Sequence, residues 1–284
     1  MLGGSGQIAR AVAACAPAAH SVSVKNRQEL DITDAEALTA AVTASGADWL
    51  INGAAYTAVD RAEAEPQLAR DVNESAVGVM ARAASRTGCR LLHLSTDFVF
   101  DGRSNRAYLP GDATNPLSVY GATKLGGERQ ALEHGRDAIV IRTSWVYASA
   151  GRNFVLTMLR LMREKAEVRV VADQIGAPTW AGGIARAIWS FIDVAAPAGL
   201  YHWTDLGVAS WYDFAVAVQD EAVARGVLAR AIPVIPIPSA DYPTPARRPA
   251  FSVLDTAAAR ALAQAPSRHW RHHLGMMLDE LRTA

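Results

Sequence analysis

From its start to about residue 150 the chain alternates short apolar runs with longer helical stretches, and that alternation leaves little freedom of fold. Residues 21–24, 47–57, 90–97 and 138–147 read as strands. The stretch between the second and third of these, 66–87, reads as a long helix closed by Gly88. Strands that alternate with helices pair in parallel, and both faces of the sheet are then covered. The expected class is α/β, a doubly wound parallel sheet. Beyond residue 150 short strands and helices mix with proline-rich loops, as in a smaller mixed α/β lobe. We therefore divide the chain into 1–150 and 151–284, with parts of 166–200 returning to the sheet. A cleft between two such lobes is the expected place for a ligand.

The kind of ligand is suggested at the start. Gly3-Gly4-Ser5-Gly6-Gln7-Ile8-Ala9 fits a glycine-rich turn from strand to helix, whose free amides can hold a pyrophosphate. As a plain tight turn it would look the same. Only Met1 and Leu2 precede it, where about five apolar residues are usual, so part of the first strand is expected to be missing. About 20 residues beyond such a turn an acid often binds the ribose of NAD. Lys25, Asn26 and Arg27 stand there instead. Their basic side chains suit a 2′-phosphate, or a solvated loop. Asp31 and Ile32 follow, as part of an adenine pocket or of an ordinary loop. Thr33-Asp34-Ala35-Glu36 has the form of a capping box.

The chemistry is expected at Tyr120 and Lys124. Asn115 can cap a helix and Pro116 fits its first turn, which sets these two side chains one turn apart on one face. An ammonium beside a phenol lowers the phenol's pKa, so Tyr120 could exchange a proton near neutral pH. Gly121, Gly126 and Gly127 cost the helix about 1 kcal/mol each relative to Ala, so something must pack closely there. Ser95, Thr96 and Asp97 end the strand before this helix, at the sheet edge where ligands sit. Residues 59–65 read as a polar loop. Trp145 is either core or a platform for a sugar. Arg247 and Arg248, on the proline-dense stretch 233–249, could clamp a diphosphate or be a plain surface pair. His269, His272 and His273 lack metal-site spacing and read as a wet helix end.

Composition excludes several classes. Lys+Arg and Asp+Glu both number 28, so there is no basic excess for nucleic acid or an anionic membrane. No apolar run reaches the roughly 20 residues that span a bilayer, and there is no signal-peptide pattern. Two cysteines make no disulfide framework and suit the cytoplasm.

Seven motifs occur in one order: the glycine-rich turn, 52–63 (Asn-Gly-Ala-Ala-Tyr-Thr-Ala-Val-Asp-Arg-Ala-Glu), 95–100 (Ser-Thr-Asp-Phe-Val-Phe), Tyr120-x-x-x-Lys124, 142–147 (Arg-Thr-Ser-Trp-Val-Tyr), 173–179 (Asp-Gln-Ile-Gly-Ala-Pro-Thr) and 242–249 (Tyr-Pro-Thr-Pro-Ala-Arg-Arg-Pro). With them the chain resembles, over nearly its whole length, the dTDP-4-dehydrorhamnose reductases, extended short-chain dehydrogenases/reductases with a Rossmann-like sheet. The resemblance implies a dinucleotide-binding first lobe and a substrate-binding second lobe. It implies NADPH- or NADH-dependent reduction of the C4 ketone of dTDP-4-dehydro-L-rhamnose to dTDP-L-rhamnose. Tyr120, Lys124 and Thr96 would be catalytic: Tyr120 as proton donor, Lys124 on the nicotinamide ribose, Thr96 on the same oxygen as Tyr120. Gly3, Gly6, Gln7, Ile8, Ala54, Ala55, Tyr56, Thr57 and Leu94 would line the cofactor cleft, with Lys25, Arg27, Asp31 and Ile32 at its adenosine end. Thr96, Asp97, Trp145 and Arg247 would meet the nucleotide sugar.

Phe98 stands where a Tyr is often found in the family, which removes a hydroxyl from the sugar pocket. Ala11 and Gly182 replace glutamates that bridge a metal-linked dimer in some members, so no metal and a monomer or weak homodimer are expected. Two other readings stand beside the reductase. An epimerase or dehydratase of nucleotide sugars shares the Tyr–Lys pair, but a dehydratase wants a second carboxylate beside Asp97. A non-catalytic, NADP-binding regulatory subunit, like that of methionine adenosyltransferase, goes with a broken Thr–Tyr–Lys set, and here the set is intact.

Overall fold

The structure, a computed structural model, describes residues 1–263 and 268–283. The strand Arg90–Thr96 lies at its centre, buried at every position after Arg90. Burial on both faces is the mark of a parallel strand covered by helices. It pairs in parallel with Trp49–Asn52 and with Ile139–Thr143, and Gly199–His202 adds in parallel beyond the latter. Side chains alternate across this sheet. Ile51, Leu92, Leu94, Ile139 and Ile141 meet the helices Gln7–Ala14 and Ala181–Asp193. Leu50, Leu91 and Val140 meet Ala35–Ser45 and Ala76–Thr87 on the other face. The expected doubly wound α/β sheet is present, and residues 181–202 return to it.

The sheet continues past Trp49–Asn52 by single bridges. Leu2 pairs in parallel with both Lys25 and Asn52. Residues 21–24 are therefore not a strand, because a ladder needs partners of matching length and only Leu2 is paired there. The capping box at Thr33 is absent as well. Asp34 accepts from Glu36 N and Ala37 N and caps Ala35–Ser45, while the Thr33 hydroxyl donates to Asp31. Residues 59–65 are not all loop, since Val59–Ala62 forms a short helix. Stretch 66–87 is helical throughout, with a π-helical segment Asp71–Ser75 in its middle.

A second core lies in the later part of the chain. There the helices Phe154–Glu164, Trp211–Ala224 and Trp270–Thr283 pack against the strand Val168–Val171. The proline-rich stretch contributes a strand, Val234–Ile237, that pairs with Val168–Val171. The expected wet cluster of histidines fails at one position. His273 is buried, with Nδ1 2.9 Å from Asp205 Oδ2, because its side of the last helix packs into this lobe. Among the described residues no helix is long and apolar enough to cross a membrane, and no three metal-ligating side chains gather.

Candidate active site

The glycine-rich turn is held against the loop that follows Trp49–Asn52. Gly3 has φ +85°, and a Cβ there would come within 2.7 Å of the backbone of Gly53 and Ala54. Only glycine fits that approach. Gly6 begins the helix Gln7–Ala14 and offers no side-chain cap, so its first amides stay open to an anion. From there a cleft of about 290 Å³ runs over Arg27, Asp31, Ile32 and Ala54–Thr57. It joins, through Gly6 and Ala55, a larger one of about 640 Å³ lined by Gln7, Ile8, Leu94, Thr96, Asp97, Tyr120, Lys124 and Trp145. A long cleft with open helix amides near its middle fits a dinucleotide.

Two expected residues stand outside it. Lys25 is exposed and does not line the cleft, because its backbone is spent on pairing with the turn: its amide donates to Met1 O and its carbonyl accepts from Gly4. Arg247 is exposed and off the cleft too. Its neighbour Arg248 fastens the proline-rich loop to the short helix through Asp60, at 2.8 Å.

The helix carrying the Tyr–Lys pair, Val119–His134, starts later than expected. Ser118, not Asn115, is its cap and accepts from Gly121 N; the Asn115 amide donates to Asp101 instead. The helix glycines admit protein. A Cβ on Gly121 would lie 2.3 Å from Phe98 O, and one on Gly127 2.1 Å from Asn73 O. Asn73, in the π-helical segment, accepts from Tyr56 N and donates to Tyr56 O and Thr123. It ties the loop over the cleft to the Tyr–Lys helix. π-Helical turns often occur at such functional sites.

Burial pushes the Tyr120 phenol up to about 12; the Asp97 charge adds to this and a hydrogen bond with Thr96 opposes it. The net depression expected from Lys124 is not seen, because burial outweighs it, and Lys124 Nζ is engaged elsewhere. It donates to Leu94 O at 2.7 Å and lies 3.4 Å from His93 Nε2. Lys124 is itself lowered to about 8 by burial, against the charge of Glu128. Tyr120 is thus a neutral phenol at pH 7, the form that can donate a proton. Thr96 donates to Asp97 Oδ1, whose other oxygen is buried without a partner.

Trp145 is both packed and at the cleft. Its backbone has φ +47°, and its ring stacks on Trp211 at 3.5 Å with planes 3° apart. The motif Asp-Gln-Ile-Gly explains this arrangement. Gln174 accepts from the Trp211 indole, and a Cβ on Gly176 would sit 2.6 Å from the Trp145 ring.

Comparison with known proteins agrees with this geometry. The sequence profile described as RmlD substrate binding domain matches residues 1–283. The chain belongs to that family. A protein of Burkholderia thailandensis named dTDP-4-dehydrorhamnose reductase is 39% identical over 98% of this chain and 97% of its own length. The crystal structure of a dTDP-4-dehydrorhamnose reductase from Clostridium acetobutylicum superposes with a TM-score of 0.93 at 34% identity, covering 99% and 98% of the two chains. One from Bacillus anthracis, solved in complex with NADP, superposes at 0.92 with 30% identity, covering 98% and 97%.

Several site residues of this RmlD-family chain escaped the sequence reading. Trp211 and Arg152 line the cleft, and Asn153 donates to Gln7 Oε1 at 2.8 Å, tying the second lobe to the glycine-rich turn. His93, Glu128 and Arg142 are buried behind the Tyr–Lys helix. His93 and Arg142 lie in stretches read as strands, so only their polarity was a signal, and Glu128, in a polar part of its helix, gave none.

Asp97 gives a test that needs no ligand. Burial raises its carboxyl to about 6, so the folded state holds the proton more tightly than the unfolded chain. Stability is therefore lost as pH rises from about 4 to 6. Asp97→Asn is expected to stabilise the protein by about 2–3 kcal/mol at pH 7 and by little at pH 4. Urea unfolding at both pH values checks this, and an equal effect at the two would contradict it.

Proposed function

We propose that this protein reduces the C4 ketone of dTDP-4-dehydro-L-rhamnose to dTDP-L-rhamnose, with NADPH or NADH, and that Tyr120 donates the proton. The observation that carries the reading is a phenol kept protonated beside Thr96 and above Lys124, at the far end of a dinucleotide-shaped cleft. The reductase names of full-length relatives, one with NADP bound, support the substrate class. On this reading 1–150, with the returning helix and strand, holds the dinucleotide, and 151–284 mainly holds the substrate.

Gly6, Gln7 and Ile8 would hold the pyrophosphate, Asp31 and Ile32 the adenosine, and Lys124 the nicotinamide ribose. When bound, the reduced nicotinamide supplies a hydride to C4. On substrate binding Thr96 turns its hydroxyl proton from Asp97, and Tyr120 its own from Thr96, to the ketone oxygen, and the two stabilise the negative charge that builds there. The Tyr120 O–H bond breaks as the new O–H bond forms on C4, and the phenolate left behind recovers a proton from solvent. Lys124 lowers the cost of that phenolate by its charge. The unpartnered oxygen of Asp97 accepts from a sugar hydroxyl, and Trp145, backed by Trp211, walls the sugar. Incubating the protein with the 4-keto sugar and reduced nicotinamide tests this: stoichiometric cofactor oxidation is expected. An epimerase would show no net oxidation, and a binding subunit no product at all.

Arg27 bears on the choice of cofactor. It lines the adenosine end, and its ion pair with Asp31 is a long, exposed one of 3.7 Å, which a 2′-phosphate can displace. It is largely exposed, and the contact is worth the lower end of about 1.5–3 kcal/mol. Arg27→Ala is expected to lower the NADPH-to-NADH ratio of kcat/KM about tenfold. A ratio unchanged by the substitution would contradict the assignment.

A further inference from the structure

Behind Lys124 runs a buried line of three polar side chains, Asn52, His93 and Lys124. Asn52 ends its strand and stands directly opposite His93 on the next. Its amide orientation is fixed, because Oδ1 accepts the Ala54 N–H at 3.0 Å. Nδ2, which can only donate, therefore faces His93 Nδ1 at 3.0 Å. A neutral imidazole has one acceptor nitrogen, and Asn52 requires it to be Nδ1. The ring proton is then on Nε2, the nitrogen 3.4 Å from Lys124 Nζ. The opposite tautomer would set Asn52 Nδ2 and His93 Nδ1–H donor against donor at 3.0 Å, with no other partner for either among the described residues.

We infer that His93 is a positioning residue for Lys124: locked by Asn52 as the Nε2–H tautomer, it presents a donor to Nζ. It thereby steers the ammonium's hydrogens to the Leu94 carbonyl and the cleft, and loosens its hold on one proton. A lysine ammonium has three donors and no acceptor, so it gains nothing from a second donor, whereas the neutral amine accepts from it. His93 stays neutral in the working range, because burial and the Lys124 charge push it well below the usual histidine value. The lowering of Lys124 to about 8 has the same sense. The other charged or titratable groups around Lys124 are Tyr120 and Glu128 on its own helix and Asp97 after the central strand. Glu74 packs at Gly126, and Arg142, from the neighbouring strand, is bound to Glu128. None of these is a donor turned on Nζ. The ring also packs against the helix at Gly127, where a Cβ would lie 3.4 Å from Nε2.

The structural part of this inference is independent of the reaction; its kinetic part rests on the reductase reading. Nitrogen-15 NMR of histidine-labelled protein, with His93 assigned among the seven histidines by loss of its signals in His93→Gln, tests the first. Between about pH 6 and 9 the wild type is expected to show a neutral ring protonated at Nε2. Asn52→Ala is expected to release Nδ1 and shift the tautomer populations. A wild-type ring protonated at Nδ1, or a tautomer indifferent to Asn52→Ala, overturns the inference even for an inactive protein. The kinetic arm uses His93→Gln, whose carboxamide oxygen can face Nζ. The alkaline limb of kcat/KM, near pH 8 in the wild type, is expected to move up by about half a unit or more, with cofactor Kd within about threefold. A limb that stays in place in folded variant protein overturns the inference. Should His93→Gln not fold, Asn52→Ala supplies the same arm, with the same expected rise.

Discussion

Tyr120→Phe is expected to lower kcat by about 10²- to 10⁴-fold, the contribution of a positioned acid. The ring stays, with its edge-on packing against Phe98 at 5.6 Å, so the helix and the cleft are undisturbed. Dinucleotide affinity should remain within a few-fold, because the proposed pyrophosphate contacts at Gly6, Gln7 and Ile8 do not use the phenol. Lys124→Ala should weaken both turnover and cofactor binding, since it is proposed to hold the ribose as well as to support the phenolate. Thr96→Val should lower kcat with little effect on binding. Initial rates with the 4-keto sugar, alongside cofactor titration, separate these outcomes. Full turnover in Tyr120→Phe would remove Tyr120 from the mechanism even with the family membership intact.

Arg142→Leu is expected to destabilise the fold by about 3–5 kcal/mol, the range for removing one partner of a buried ion pair. Arg142 Nε and Nη2 donate to the two oxygens of Glu128 at 2.8 and 2.6 Å, and both side chains are 3% exposed. Ser95 donates to the same carboxylate at 2.5 Å. Arg142 also reaches Pro110 O and His202 Nε2 and lies over the Phe100 ring. Burial and the Arg142 charge push His202 down to about 3, so it is neutral and can accept. One guanidinium thus joins the central strands, the Tyr–Lys helix and the loop 101–114. Without it the Glu128 carboxylate is buried and unpaired. The double variant Arg142→Leu with Glu128→Leu removes both charges and should recover a large part of the loss, since apolar residues can replace a buried pair at little cost. Urea denaturation of both variants tests this. A single variant as stable as the wild type would show that the pair contributes nothing.

The sheet was legible because its signal is local. Alternation such as Leu91 against Leu92 and Leu94, or Val140 against Ile139 and Ile141, assigns each residue to a face by period alone. Helix starts were less legible. Asn115 and Ser118 are both good caps, and what excludes Asn115 is its bond to Asp101, which local sequence does not encode. The titration of Tyr120 could not be read from its spacing to Lys124, because burial and the capture of Nζ by Leu94 are tertiary effects. The same holds for Lys25 and Arg27. One residue separates them, yet Lys25 is used in strand pairing and Arg27 opens to the cleft. Arg142 is legible as an odd polar residue in an apolar strand, but Glu128, between Gly127 and Arg129, is not, and neither is their pairing across 14 positions.

The central claim is hydride delivery to C4 of a 4-keto nucleotide sugar. Its most direct test is one incubation of the wild-type protein with dTDP-4-dehydro-L-rhamnose and NADPH carrying deuterium at both hydrogens of the nicotinamide C4, followed by NMR of the sugar product. Deuterium on C4 of dTDP-L-rhamnose, in step with NADPH consumed, is the predicted result. Unlabelled product, label at another carbon, or recovery of the keto sugar unchanged would contradict it.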